Sequence, residues 1–215
     1  MRVVQGKGGA PAQRPAGALS IKNRRVALSH SMHVVEVSRS HSSCIVCSDL
    51  HCGGGAACWQ LQVVLEAARA ARADCLLILG DLFDKLHRRV KPEELKQHIS
   101  LLLGDRRLPE RVYYVTSLSS HDPILSGPVS FEICSSEVLV VPGILRLSAG
   151  GLSICGLHGD AVVRSGVLAH LVNRVASAAG RGLLLEEMAK RKFCSPCNWV
   201  LTGHTHVPGV DPARK

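Results

Sequence analysis

The sequence predicts a layered α/β fold, with mixed β-sheets flanked by helices. Two observations carry that prediction. Along most of the chain, short apolar runs alternate with segments of helical period. Several of those runs are followed at once by small clusters of Asp, His and Ser. In sheets of this kind ligands gather beyond the carboxyl ends of the strands, so the clusters are also where function is expected.

Residues 33–37 and 43–47 read as short strands. Residues 60–72 (QLQVVLEAARAAR) place apolar side chains at helical spacing with arginines opposite. The run CLLIL at 75–79 is continuously apolar, as in a strand buried on both faces. A helix is expected from Pro92 to Leu103, with Pro at its first turn and Gly104 past its end. Strands follow at 112–116, 138–141 and 153–156, helices at 167–178 and 183–192, and a last strand at 198–201. There is no internal repeat. The expected organisation is a basic tail over residues 1–30 and a single domain over 31–215.

The chain has 215 residues and a formal charge of +9. Residues 1–40 hold seven Lys/Arg and one acid, so that segment carries +6 and only +3 is left for the other 175 residues. The body is thus mildly basic, and nucleic acid is not the favoured partner. The acid-poor leader also resembles an organelle transit peptide. Nine cysteines show no secreted disulfide spacing, and neither a secretory h-region nor a transmembrane stretch is visible; a reducing, cytoplasmic setting is expected. Cys44 and Cys47 lie three apart in a strand, on opposite faces, and read as core packing. Cys194 and Cys197 have better spacing for a disulfide or a zinc pair.

Five polar clusters stand directly after apolar runs. They are Ser48-Asp49-Leu50-His51, Gly80-Asp81-Leu82-Phe83-Asp84, Ser119-Ser120-His121-Asp122, His158-Gly159-Asp160 and Gly203-His204-Thr205-His206. Carboxylates mixed with imidazoles suit Mn, Fe, Zn or Co better than Mg or Ca. A carboxylate shared by two ions about 3.5–4 Å apart would build a site able to clamp a phosphoryl group. Each cluster alone is weak; the ordered set of five at strand ends is the signal.

That order, D-x-H, G-D-x-x-D, H-D, H-G-D and G-H-T-H over residues 43–208, resembles the calcineurin-like metallophosphoesterase superfamily. Its wording is most similar to the UDP-2,3-diacylglucosamine hydrolase-like branch, and SDLH and GDLFD are also similar to a nuclease of double-strand-break repair. The resemblance implies two divalent transition metal ions, manganese first. Asp49, His51 and His206 would hold one ion, His158 and His204 the other, and Asp81 would bridge them. The family's further Asn ligand is replaced by Ser120, which implies a weaker second site. His121 would touch the phosphate or protonate the leaving oxygen, with Asp122 orienting it, while Asp84 and Asp160 would hold ligand loops. The implied reaction is attack of a metal-activated hydroxide on a phosphomonoester, phosphodiester or pyrophosphate, in a phosphorylated small-molecule or nucleotide-type substrate. The alternatives are a nuclease with the same centre and a weakened scaffold of the same fold. The family usually adds strands after G-H-T-H, whereas nine residues follow His206 here; a bare sheet edge of that kind would favour a homodimer.

Overall fold

A long strand organises the molecule. The computed structural model describes residues 21–27, 31–53, 58–104, 106–118, 121–180 and 183–204. Its strands are β1 (Ile21–Ala27), β2 (Ser31–His41), β3 (Cys44–Cys47), β4 (Cys75–Leu79), β5 (Arg111–Thr116), β6 (Val129–Ile133), β7 (Ser136–Ala149), β8 (Leu152–Leu157) and β9 (Trp199–Thr202). They form one mixed sheet in the order β1-β2-β7-β5-β4-β3, with β6 and β8 also on β7, and β9 on β8. The first half of β7 pairs with β5 in parallel and β6 antiparallel. From Gly143 onward its partners change to β2, in parallel, and β8, antiparallel. The sheet therefore curls along β7.

Side-chain alternation distributes the core. Leu77, Leu79, Tyr113, Val115, Leu139 and Val141 point to one face and pack with Val35, Val37, Leu145 and Leu147. Their neighbours Leu76, Ile78, Val112, Tyr114, Val138 and Val140 point the other way, toward two helices. Helix α1 (Trp59–Ala70) buries Leu61, Leu65 and Ala68 there, and helix α2 (Pro92–Leu103) buries Leu95, Ile99 and Leu103. These are the i, i+4 and i+7 or i+8 positions of one apolar stripe. Pro92 opens α2 with Glu93 and Glu94 in its first turn, where acid complements the helix dipole. Beyond β8, Met32, Ile144, Cys155 and Leu157 pack against Ala189, Phe193 and Cys194. Those last residues belong to helix α4 (Leu184–Ala189) and the π turn that follows it (Lys190–Cys194); helix α3 (Gly166–Ala178) precedes them.

Several expectations need correction. Ile21–Ala27 lies within the expected tail, yet its backbone pairs antiparallel with β2 from Ile21↔Val37 to Ala27↔Ser31. Residues 1–20 lie outside the described residues. Strand β6 was not expected; it folds back on β7 through Val129↔Val140 and Ile133↔Ser136. The expected helix at 183–192 is α-helical only to Ala189 before it widens into the π turn. The cysteines also differ. Disulfides join Cys44 to Cys75, Cys52 to Cys58 and Cys155 to Cys194, leaving Cys47, Cys134 and Cys197 free. Cys44 and Cys75 are register partners on adjacent strands, a proximity that spacing along the chain does not reveal. Cys194 bonds across to β8 rather than to Cys197. These pairs do not match the reduced cysteines expected of a cytoplasmic chain. Among the described residues, no helix is long and apolar enough to cross a membrane.

Candidate metal centre

The carboxyl ends of β3, β4, β8 and β9 converge, and each delivers part of one polar site. After β3 come Asp49 and His51; after β4, Asp81; after β8, His158; after β9, His204. The β3 and β4 loops run side by side. Asp49 N donates to Gly80 O at 3.1 Å, His51 N to Asp81 O at 2.9 Å, and Cys52 N to Leu82 O at 2.8 Å. This small parallel ladder continues the pairing of β3 and β4 past their ends.

Two groups of donors result. One atom each from His51, Asp81 and His121 lie within 4.8 Å of one another, and so do atoms of Asp81, His158 and His204. Asp81 belongs to both groups. Its Oδ2 is 3.9 Å from His51 Nε2 and 3.6 Å from His158 Nε2. Asp81 Oδ1 and His158 Nε2 are buried with no hydrogen-bond partner in the protein. Buried polar atoms are almost always satisfied, so two orphans within one donor group call for a ligand. A cation suits them, because both are electron-pair donors.

The imidazoles are oriented for that role. His158 Nδ1 lies 2.8 Å from Leu79 O, His121 Nδ1 lies 2.7 Å from Asp84 O, and His204 Nε2 lies 2.9 Å from Val163 O. A backbone carbonyl can only accept, so each contact assigns its proton and leaves the other ring nitrogen as a lone-pair donor. The rings pair edge to face, His51 on His121 with centroids 4.7 Å apart and His158 on His204 at 4.9 Å. Burial lowers the pKa of His204, and His158 beside it lowers it further. Burial also pulls His158 down, but the Asp160 and Asp81 carboxylates outweigh it and leave its pKa above 6.5.

The backbone at this site is strained. Asp49, His51, Asp81 and His204 have φ of 54°, 46°, 49° and 74°, in the left-handed region that side chains with a Cβ disfavour. Only three other described non-glycine residues share that region: Arg72, Cys134 and Ser135. Such strain costs of order 1–3 kcal/mol per residue and persists where surrounding structure enforces it, commonly at functional sites. Two glycines make the crowding feasible. A Cβ on Gly80 would lie 2.3 Å from His158 Nδ1, and one on Gly203 would lie 2.7 Å from Leu79 O and 2.8 Å from Asp49 Oδ2.

The expected residues divide accordingly. His51, Asp81, His158 and His204 come together, joined by His121. Asp49 is adjacent but is not one of the clustered donors; its two oxygens accept from His204 N at 3.1 Å each. Asp122 needs a correction, because its carboxylate does not orient the His121 ring. It is buried and accepts from the amides of Asp81 (2.7 Å), Leu82 (3.1 Å), Phe83 (3.4 Å) and Ser117 (2.7 Å). Burial raises its pKa against the Ser117 N–H that favours the anion. Asp122 thus holds the Asp81 loop, and Asp84 holds His121 through its carbonyl. Asp160 accepts from Leu118 N at 2.6 Å and anchors the segment leading toward His121. Ser120, Thr205 and His206 lie outside the described residues. The orienting carbonyls of Leu79, Asp84 and Val163 carry no side-chain signal, so the sequence could not name them.

Scans of this sequence against models of protein families and against curated proteins return no match.

Proposed function

We propose that this chain is a phosphoesterase of the calcineurin-like metallophosphoesterase type, acting on a phosphate ester or anhydride through two divalent transition metal ions that share Asp81. The observation that carries the reading is Asp81 itself: one buried carboxylate common to two three-donor groups, with an unpartnered oxygen beside the unpartnered His158 Nε2. The mixture of carboxylate and imidazole favours Mn, Fe, Zn or Co, and manganese is our first choice. The order of the motifs and the curled sheet with helices on its outer faces agree with the layered fold the resemblance implies.

When bound, the ions would neutralise phosphoryl oxygens and make hydroxide available near neutral pH. The chain supplies the rest. With Asp81, His51 and His121 would hold one ion, and His158 and His204 the other. Asp49 fixes the His204 backbone, and Asp122 fixes that of Asp81. His121, with Nδ1 committed to Asp84 O, presents the lone pair of Nε2 to the cluster beside His51 and Asp81. The net change is water added across a P–O bond.

The full chain loaded with manganese is expected to hydrolyse bis(p-nitrophenyl) phosphate and to stop when chelator is added. Asp81→Ala is expected to lower both metal content and turnover, by roughly 100-fold or more for turnover. Turnover that survives chelation, or full metal retention in Asp81→Ala, rules the proposal out.

A further inference from the structure

The loop after β4 holds more positive charge than a ligand loop needs. Residues 85–91 read Lys-Leu-His-Arg-Arg-Val-Lys, with no acid among them. Lys85, His87, Arg88, Arg89 and Lys91 are exposed, whereas Leu86 is buried as the loop's apolar anchor. Lys85 is 90% exposed and lies 3.9 Å from Asp84, and Arg88 pairs with Glu94 at the start of α2. The segment is pinned against the metal centre. Leu86 N donates to His121 O at 2.9 Å, Ile124 N donates to Arg88 O at 3.0 Å, and Arg89 forms a bridge with Ile124. His87 Nδ1 lies 3.2 Å from Asp122 O. A cationic segment is thus tied by its backbone to the residues flanking His121.

An exposed aromatic stands at the start of α1. Trp59 is 66% exposed, the most exposed aromatic side chain among the described residues. It follows Cys58, whose Cα lies 5.2 Å from that of Cys52 across their disulfide. Cys52 follows His51 and is bridged to Phe83, two residues before Lys85. The tryptophan, at the start of α1, and the cations of the β4 loop are therefore both linked through Cys52 to the His51 side of the centre.

The geometry points to a single-stranded nucleic acid as the substrate: the cations of residues 85–91 hold phosphates flanking the one that reacts, and Trp59 stacks a base. Exposed charges spread along an open rim track a polymer backbone; gripping one compact phosphate group would instead need them converging in an enclosed pocket. Pairing such a rim with an aromatic platform is how proteins hold single strands with little sequence preference. The charge that matters is local, so the modest net charge of the body does not oppose this reading. The inference rests on the phosphoesterase proposal for the reaction, but its binding claim is tested separately.

The test is fluorescence anisotropy with the full chain in chelator and a labelled single-stranded oligonucleotide of about 12 nucleotides, a length in the range such sites cover. The wild-type protein should bind, more weakly as salt rises. Lys85→Ala/Arg89→Ala/Lys91→Ala should weaken binding at least about tenfold and flatten the log–log salt slope by about 2, near 0.7 per phosphate contact removed. Trp59→Ala should weaken it at least about fivefold while leaving the salt slope unchanged. Absence of binding at low salt, an unchanged slope in the triple variant, or equal competition by a mononucleotide at matched phosphate overturns the inference. Strand binding without diester hydrolysis in manganese sinks the enzymatic reading alone. Hydrolysis of the small diester without strand binding sinks this inference alone.

Discussion

Individual residues at the centre do two kinds of work, and only one kind was legible in the sequence. His51, Asp81, His121, His158 and His204 could be picked out because each belongs to a polar cluster that follows an apolar run. The residues that hold them in place could be named but not assigned. Asp122 reads as a partner for its neighbour His121, yet the fold turns its carboxylate toward three amides of the β4 loop and that of Ser117 just after β5. Asp122→Ala would leave buried N–H groups without an acceptor, at roughly 1–3 kcal/mol each. The expected loss is about 3 kcal/mol or more of unfolding free energy, read as a lower denaturant midpoint at unchanged m-value. Gly80 makes a sharper test because it has no polar group to lose. With φ at 78° and a would-be Cβ 2.3 Å from His158 Nδ1, Gly80→Ala must displace that ring. Manganese affinity is expected to fall at least about tenfold by calorimetric titration.

At the level of elements, the expectations succeeded where apolar periodicity is strong and failed where pairing does the stabilising. Helix α2 begins and ends as expected because Pro92, its buried stripe and Gly104 all agree. Strand β1 was missed because IKNRRVA has no apolar period; the ladder to β2 specifies it. A buried polar group in the middle of α3 ties that helix to the first turn of α4. Asn173 donates to both Glu186 oxygens at 3.0 and 2.7 Å and accepts from Leu185 N at 3.0 Å. Asn173→Ala is expected to cost about 2–3 kcal/mol and to speed amide exchange in α4 before it affects α1 or α2. The Cys155–Cys194 bond fastens the same region to β8 across a sequence separation of 39. Closing a loop of that length contributes about 4 kcal/mol in the chain-entropy account. Cys155→Ala should therefore lower the thermal midpoint markedly while leaving the far-ultraviolet spectrum unchanged below it.

Across the whole molecule, the class of fold was legible but the sheet order was not. Alternating strand and helix patterns announce an α/β protein. That β7 would serve two sets of partners depends on contacts between residues far apart in sequence, which no local pattern encodes. The same long-range assembly buries a polar group at the end of the sheet opposite the candidate metal centre. His41, buried at the end of β2, lies 2.8 Å from the Tyr113 hydroxyl and 3.9 Å from Asp74 Oδ1. Burial lowers its pKa below 6.5, and the Asp74 carboxylate only partly opposes that shift. The consequence for stability has a definite sign. Above pH 6.5 the imidazole is neutral in both folded and unfolded chains and contributes no pH dependence. Below 6.5 the unfolded chain takes up a proton that the folded site still refuses, so stability falls until the lowered pKa is reached and is then flat again. His204 shifts in the same direction and His158 in the opposite one, so the wild-type curve alone is ambiguous. Both remain in His41→Gln, and the difference between the two proteins isolates His41. The wild-type advantage in melting temperature is expected to shrink as pH falls from 7.5 to 5; a constant difference would mean that burial does not hold His41 neutral.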